Sequence, residues 1–248
     1  MRAAPRTAVA LVALAMMPGQ TQAQPPAAGE SSLNVLLYFG LYTQWYRMEE
    51  ALKPVAGHAL RTLNARSDGA DPIPDADGIA AFDIVVMSDV SHGSIQDAGL
   101  TAIDSFVREG GGLLVLGGPL TYGEGKYEES IFPRLLPVEG IGRFDLKWEK
   151  AGLPLSAGKD HAILKGVDLS AEPFVFWIHE ARPNSEGSVI LEAGDRPLLV
   201  VGHHGKGRVA AFLGTPMGTA GEGQLAFWQW EGWPQLLRNA MLWLAGDS

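Results

Sequence analysis

Two short polar, glycine-containing runs hold the side chains best suited to chemistry, and each lies against an apolar stretch. Ser88, Asp89, Ser91 and His92 close the run that begins at Phe82, and Gly117, Gly118, Thr121 and Tyr122 follow Leu113–Leu116. A carboxylate with an imidazole three residues on, Asp89 and His92, is the material of an acid–base pair or a weak metal site. Asp89 is equally suited to capping the turn it enters, with Ser91 or His92 opening the next segment. Consecutive glycines let a ligand or a second stretch of backbone approach closely.

Further imidazoles widen the set. His179 and Glu180 follow the aromatic run Phe174–Trp177 and would complete a polar cleft with Asp89, although neighbours on a strand face opposite ways. His161 is either a site residue or a hydrogen-bonding prop for its loop. His203 and His204 sit together in a glycine turn with no further ligands nearby, so no metal site is expected. Lys206 and Arg208 read as ordinary turn surface. No cofactor is expected either, and without a GxxxxGK[ST] motif nucleotide hydrolysis lacks its phosphate cradle. The 248 residues contain no cysteine, which removes thiolate nucleophiles and disulfides together. Trp228, Trp230 and Trp233 close the core or form an exposed stacking surface, with closure the preferred reading.

These residues need elements to position them. Leu33–Phe39 reads as a central strand, Trp45–Ala56 as a helix strained by Pro54, and Leu60–Leu63 as the next strand, with a loop from Ser67 to Gly78. Phe82–Ser88, Thr101–Arg108 and Leu113–Leu116 form strand, helix and strand, the helix stopped by Gly110–Gly112. Such a βαβ unit builds a parallel sheet covered on both faces. Val189–Ala193, Pro197–Val201 and Val209–Leu213 follow, the last two joined as a hairpin through Gly202–Gly207. Pro234 suits the first turn of a closing helix that carries Leu236, Leu237, Ala240, Met241 and Leu244. Ligands collect beyond the carboxyl ends of strands in an open parallel sheet, which is where the first two polar runs lie.

Arg2 and Arg6, the apolar Ala8–Met17 and the small residues to Ala23 have the layout of a signal peptide. The expected organisation is a signal over 1–23, a flexible lead-in over 24–31 and one domain over 32–248, periplasmic or secreted. An apolar run this short gives no stable transmembrane anchor after cleavage, since a spanning helix needs about 20 residues. The chain carries 28 acidic and 19 basic residues, a net charge of −9, and cleavage would remove two of the arginines. That balance excludes nucleic acid as a partner and disfavours anionic lipid.

Four stretches taken together carry a family resemblance: FDIVVMSDV (82–90), REGGGLLVLGGPLTYGEGKY (108–127), GKGRVAAFLGTP (205–216) and WPQLLRNAMLWLAG (233–246). In order and spacing they resemble the class I glutamine-amidotransferase-like group, in a branch close to trehalose-utilisation-type domains. The resemblance implies an α/β fold with a flavodoxin-like, mostly parallel sheet, helices on both faces and a C-terminal β-hairpin. It also assigns a cysteine elbow to Gly117 or Gly118, and a catalytic histidine to the stretch now held by Gly214, Thr215 and Pro216. The glutamate that would follow has no clear match, although Glu222 is near. With nucleophile and base both missing, glutamine hydrolysis is not expected. The expectation is a secreted, catalytically degenerate domain that binds a small polar ligand or an envelope protein, with Ser88, Asp89, Gly117, Gly118, Thr121, Tyr122 and Glu180 as binding residues. The alternatives are a hydrolase or carbohydrate-processing enzyme using Asp89 with His92, His161 or His179, and a structural subunit of a cell-envelope complex.

Overall fold

The apolar runs at 35–38, 84–87, 113–116 and 209–213 leave no face for water and must lie at the middle of a covered sheet. In the computed structural model, which describes residues 32–66 and 69–246, they do. The expected signal peptide and lead-in, 1–23 and 24–31, lie outside the described residues. Strands β1 (Asn34–Phe39), β2 (Ala59–Asn64), β3 (Ile84–Ser88) and β4 (Gly112–Leu116) pair in parallel in the order β2-β1-β3-β4. Every residue of β3 and β4 is buried. After β5 (Val138–Glu139), β6 (Leu146–Ala157), β7 (Pro173–His179), β8 (Arg182–Pro183) and β9 (Ser188–Ala193) comes the hairpin of β10 (Arg196–His204) and β11 (Gly207–Phe212). β11 pairs in parallel with β4, which completes the flavodoxin-like order 2-1-3-4 followed by the last parallel strand.

The sheet then continues antiparallel from β11 through β10, β9, β6 and β7 to β12 (Gly214–Thr215), while β13 (Leu225–Ala226) pairs with β7. β5 and β8 form a separate two-stranded ladder. The sheet is therefore mixed, a parallel centre with an antiparallel extension. β6 gave no apolar signal in the sequence because most of its residues stay partly or fully exposed.

Short helices α1 (Met48–Leu52) and α2 (Ala76–Ile79), the long α3 (His92–Glu109), α4 (Phe132–Leu135) and α5 (Trp233–Ala245) complete the chain. α1 packs on α5, and α2 packs on α3. The helix expected over Trp45–Ala56 is instead a 3₁₀ turn, Thr43–Tyr46, followed by α1, because Arg47 between them adopts a left-handed conformation. α3 starts nine residues before the expected Thr101 and carries one non-helical residue, Gln96.

α5 closes the core. Pro234 stands in its first turn and Gly246 caps its end, while Trp233, Leu236, Leu237, Ala240, Met241 and Leu244 are buried. Trp228 and Trp230 are buried too, and the Trp233 indole donates to the Tyr46 carbonyl at 2.8 Å. The closure reading of these tryptophans is correct. Truncating Leu237 to alanine leaves a cavity between α5 and the sheet, and we expect a loss of about 2–5 kcal/mol. Urea denaturation checks this, and a loss well below that range would show that α5 does not close the core.

Candidate functional site

β1, β3 and β4 leave the sheet side by side, and one carboxylate ties together the backbone that follows each. Asp89, immediately after β3, is buried and sits at φ 55°, a left-handed conformation that aspartate tolerates better than most residues. Its Oδ2 accepts the Leu41 amide at 2.8 Å and its Oδ1 the Leu120 amide at 2.7 Å. The Gly40 amide donates to the Ser88 carbonyl at 2.8 Å, which carries the β1–β3 ladder one residue past β1. Burial raises the Asp89 carboxyl above its ordinary range, and the Leu120 and Leu41 amides and the field of His179 oppose that rise.

The neighbouring candidates join the same knot. Ser88 Oγ accepts from Thr43 Oγ1 at 2.9 Å, and Thr121 Oγ1 donates to the Leu116 carbonyl at 3.2 Å. The Tyr122 hydroxyl lies 3.3 Å from the Val115 carbonyl and 3.2 Å from that of Phe212. Tyr46 reaches under the elbow turn, its hydroxyl 2.8 Å from the Gly117 carbonyl and 2.9 Å from the Gly214 carbonyl. Its pKa is raised well above the usual tyrosine value, first by burial and then by Tyr122 and Asp89, so the phenol stays a donor. A Cβ on Gly117 would overlap the Gly214 carbonyl, and one on Gly118 would overlap the Asp89 carboxylate. The turn is closed to any side chain.

The imidazoles find separate partners, which corrects the expected pairing of Asp89 with His92. His92 pairs with Asp97 at 2.9 Å, not with Asp89. His161 accepts from the Ile163 amide at 3.2 Å and packs edge-on against Trp243, the role of a loop prop. Glu180 turns outward to Lys147 at 3.4 Å while His179 turns inward, as alternation on a strand dictates. His204 pairs with Asp104 at 2.6 Å. No group of three metal-ligating side chains occurs among the described residues.

His179 has partners that the sequence did not announce. Its Nδ1 lies 2.9 Å from Asp145 Oδ2, and its Nε2 lies 3.4 Å from Thr215 Oγ1. The Tyr122 ring meets the imidazole edge-on at 4.8 Å. Carboxylate, imidazole and hydroxyl stand in the order of a nucleophilic triad. All three are sealed in, with Asp145 at 3%, His179 at 2% and Thr215 at 0% exposure, and the last contact is near the limit of a hydrogen bond. Asp145 Oδ1 has no hydrogen-bond partner. Asp145 and His179 are 34 positions apart and meet only through the β6–β7 pairing, so no local spacing revealed them.

Open volume lies to either side of the knot. One cleft of about 420 Å³ is walled by Tyr127, Phe132, Leu136 and Ile141, with Gly123 and Gly142 among its lining, and Tyr122 borders it. Another of about 500 Å³ lies among Tyr42, Trp45, Met217, Thr219, Trp228 and Gln229.

A family model described as "Putative glutamine amidotransferase" matches residues 48–246. Among solved structures, two described as cytoplasmic proteins of Salmonella typhimurium are each 20% identical. The first superposes with a TM-score of 0.70 over 86% of this chain and 98% of its own. The second gives 0.71 over 86% and 99%. A "Putative thua-like protein" from Bacteroides uniformis is 12% identical, with a TM-score of 0.58 over 90% of this chain and 95% of its own. At these identities the likenesses establish the fold. No curated protein sequence gives a significant match.

Asp89→Asn replaces a carboxylate that accepts two amide hydrogens with a group that has one acceptor oxygen, at an expected cost of about 1–3 kcal/mol at neutral pH. The folded pKa of Asp89 lies above its unfolded value. Its protonation therefore contributes stability that is fully present below the unfolded pKa of about 3.9 and is lost as pH rises through the folded pKa. The gap between wild type and variant should narrow across that window. Urea denaturation at stepped pH checks both points; a variant as stable as wild type, or a gap that widens with pH, contradicts them.

Proposed function

Because the chain belongs to the glutamine-amidotransferase-like family, matched over residues 48–246, we propose that it uses the family's fold as a binding scaffold and has lost the amidotransferase reaction. The observation that carries this reading is the closed turn at Gly117 and Gly118. In place of a nucleophile the turn holds two glycines packed on Asp89 and the Gly214 carbonyl, with the Tyr46 hydroxyl beneath. The absence of cysteine from the whole sequence supports the same conclusion.

Binding moves to the side of the knot, into the cleft lined by residues of the long connection between β4 and β6. Its volume of about 420 Å³ falls within the range of small-molecule sites, which favours a small ligand with polar groups over an envelope protein. The layout of residues 1–23 favours action in the periplasm or outside the cell. The cytoplasmic descriptions of the two Salmonella proteins belong to those proteins.

The buried Asp145–His179–Thr215 array favours a second reading, hydrolysis with Thr215 as nucleophile. That reading predicts turnover of an activated ester such as p-nitrophenyl acetate that His179→Gln abolishes; turnover unchanged by the substitution rejects it.

The leading reading is tested by incubating the purified protein with glutamine and measuring ammonia. No release above the buffer blank is expected. Gly118→Cys should not install activity, because its Cβ overlaps Asp89. Glutamine turnover by the wild-type chain would overturn the reading.

A further inference from the structure

The cleft walled by Tyr127, Phe132, Leu136 and Ile141 does not end at its apolar wall. A second depression of about 490 Å³, lined by His92, Asp97, Lys126 and Glu129, adjoins it, and the two share Glu128 and Arg143. They form one groove, apolar at one end and charged at the other. Lys126, Glu128, Glu129 and Arg143 are exposed, and no ion pair among the described residues engages any of them. Arg143 holds only the ring of Phe144, 5.1 Å from its centroid. Both signs of charge therefore stand uncommitted where the apolar wall begins.

A second observation bears on the same groove. Gly123 and Gly142, both part of the apolar cleft's lining, approach so closely that a Cβ on Gly123 would overlap the Gly142 carbonyl. Behind them lies Asp145, whose Oδ1 is buried without a partner, 2.7 Å from that Cβ position. An unpaired buried carboxylate oxygen is costly to a fold and calls for a reason. Here it places a carboxylate oxygen behind the lining, in addition to Glu128 on the cleft itself, whereas Glu139, also on the lining, is paired with Arg182 at 3.0 Å.

We propose that this groove binds a zwitterionic ligand of the α-amino acid class with a large apolar side chain. The inference rests on the binding reading above and names its ligand. The side chain lies against Phe132, Leu136 and Ile141, the carboxylate faces Arg143 and Lys126, and the ammonium faces Glu128 over the field of Asp145. A zwitterion also suits a chain whose net charge of −9 disfavours a purely anionic ligand. The arrangement needs no group from the closed turn, so binding is independent of glutamine chemistry.

The test is calorimetric titration of the full chain with L-phenylalanine, N-acetyl-L-phenylalanine and L-phenylalaninamide. The second lacks the ammonium and the third the carboxylate. Saturable binding of phenylalanine is expected, with each derivative weaker by about tenfold, as is reasonable for loss of one charge-assisted contact. Arg143→Gln and Glu128→Gln lie on the exposed rim, where folding is not at stake, and each should weaken phenylalanine by a similar factor. Arg61→Gln on distant β2 should leave it unchanged. If all three compounds bind alike, the apolar cleft is a site but the zwitterion inference fails. If none binds, both the inference and the use of this cleft fail, while the ammonia assay still decides the loss of amidotransferase chemistry.

Discussion

The structure depends on one buried carboxylate. Asp89 accepts two backbone amides, Leu41 from the exit of β1 and Leu120 from the exit of β4, while standing itself at the exit of β3. An ionised group this deep in the fold loses its hydration, and the two amides return part of what is lost. The geometry leaves little freedom. Gly40 and Gly118 both pass so close to Asp89 that a side chain on either would collide with it. The same constraint that stabilises the strand exits closes the crevice where an open α/β sheet ordinarily receives its ligand.

Tyr46 fixes the arrangement from below. Its hydroxyl bridges the turn after β4 and the segment after β11, and its own carbonyl receives the Trp233 indole. Through that contact the closing helix is coupled to the strand exits. His179, Asp145 and Thr215 extend the polar interior toward β7 and β12, so the carboxyl edge of the sheet is filled by a bonded network. The family's architecture is kept, and at Gly117 and Gly118 the carboxyl edge of the sheet leaves no room for a side chain.

The sequence revealed the parts whose signals are local. Solid apolar runs marked β1, β3, β4 and β11, glycines marked the hairpin turn and the end of α3, and Pro234 marked α5. It also directed attention to Asp89 and Gly118, and the two do meet, since a Cβ on Gly118 would overlap the Asp89 carboxylate. What it could not convey was whether these groups enclose a space or fill one, because that depends on Tyr46 and Gly214 arriving from segments 71 and 97 residues from Gly117. β6 was hidden by its exposed polar residues, and Asp145 with it. His92 was misjudged for a related reason: at the start of α3 its side chain finds Asp97 on the same helix before it can reach Asp89.

The central claim is that the strand exits are a closed knot in the native state and not a pocket that opens readily. Hydrogen exchange at the Leu41 and Leu120 amides tests it most directly, since both protons are held by Asp89 in loops that would otherwise exchange fast. The account predicts that the two amides exchange only as slowly as the core of β3 and β4, through global unfolding. Exchange at the rate of the surrounding loops would mean that the knot opens on its own, and would contradict the account.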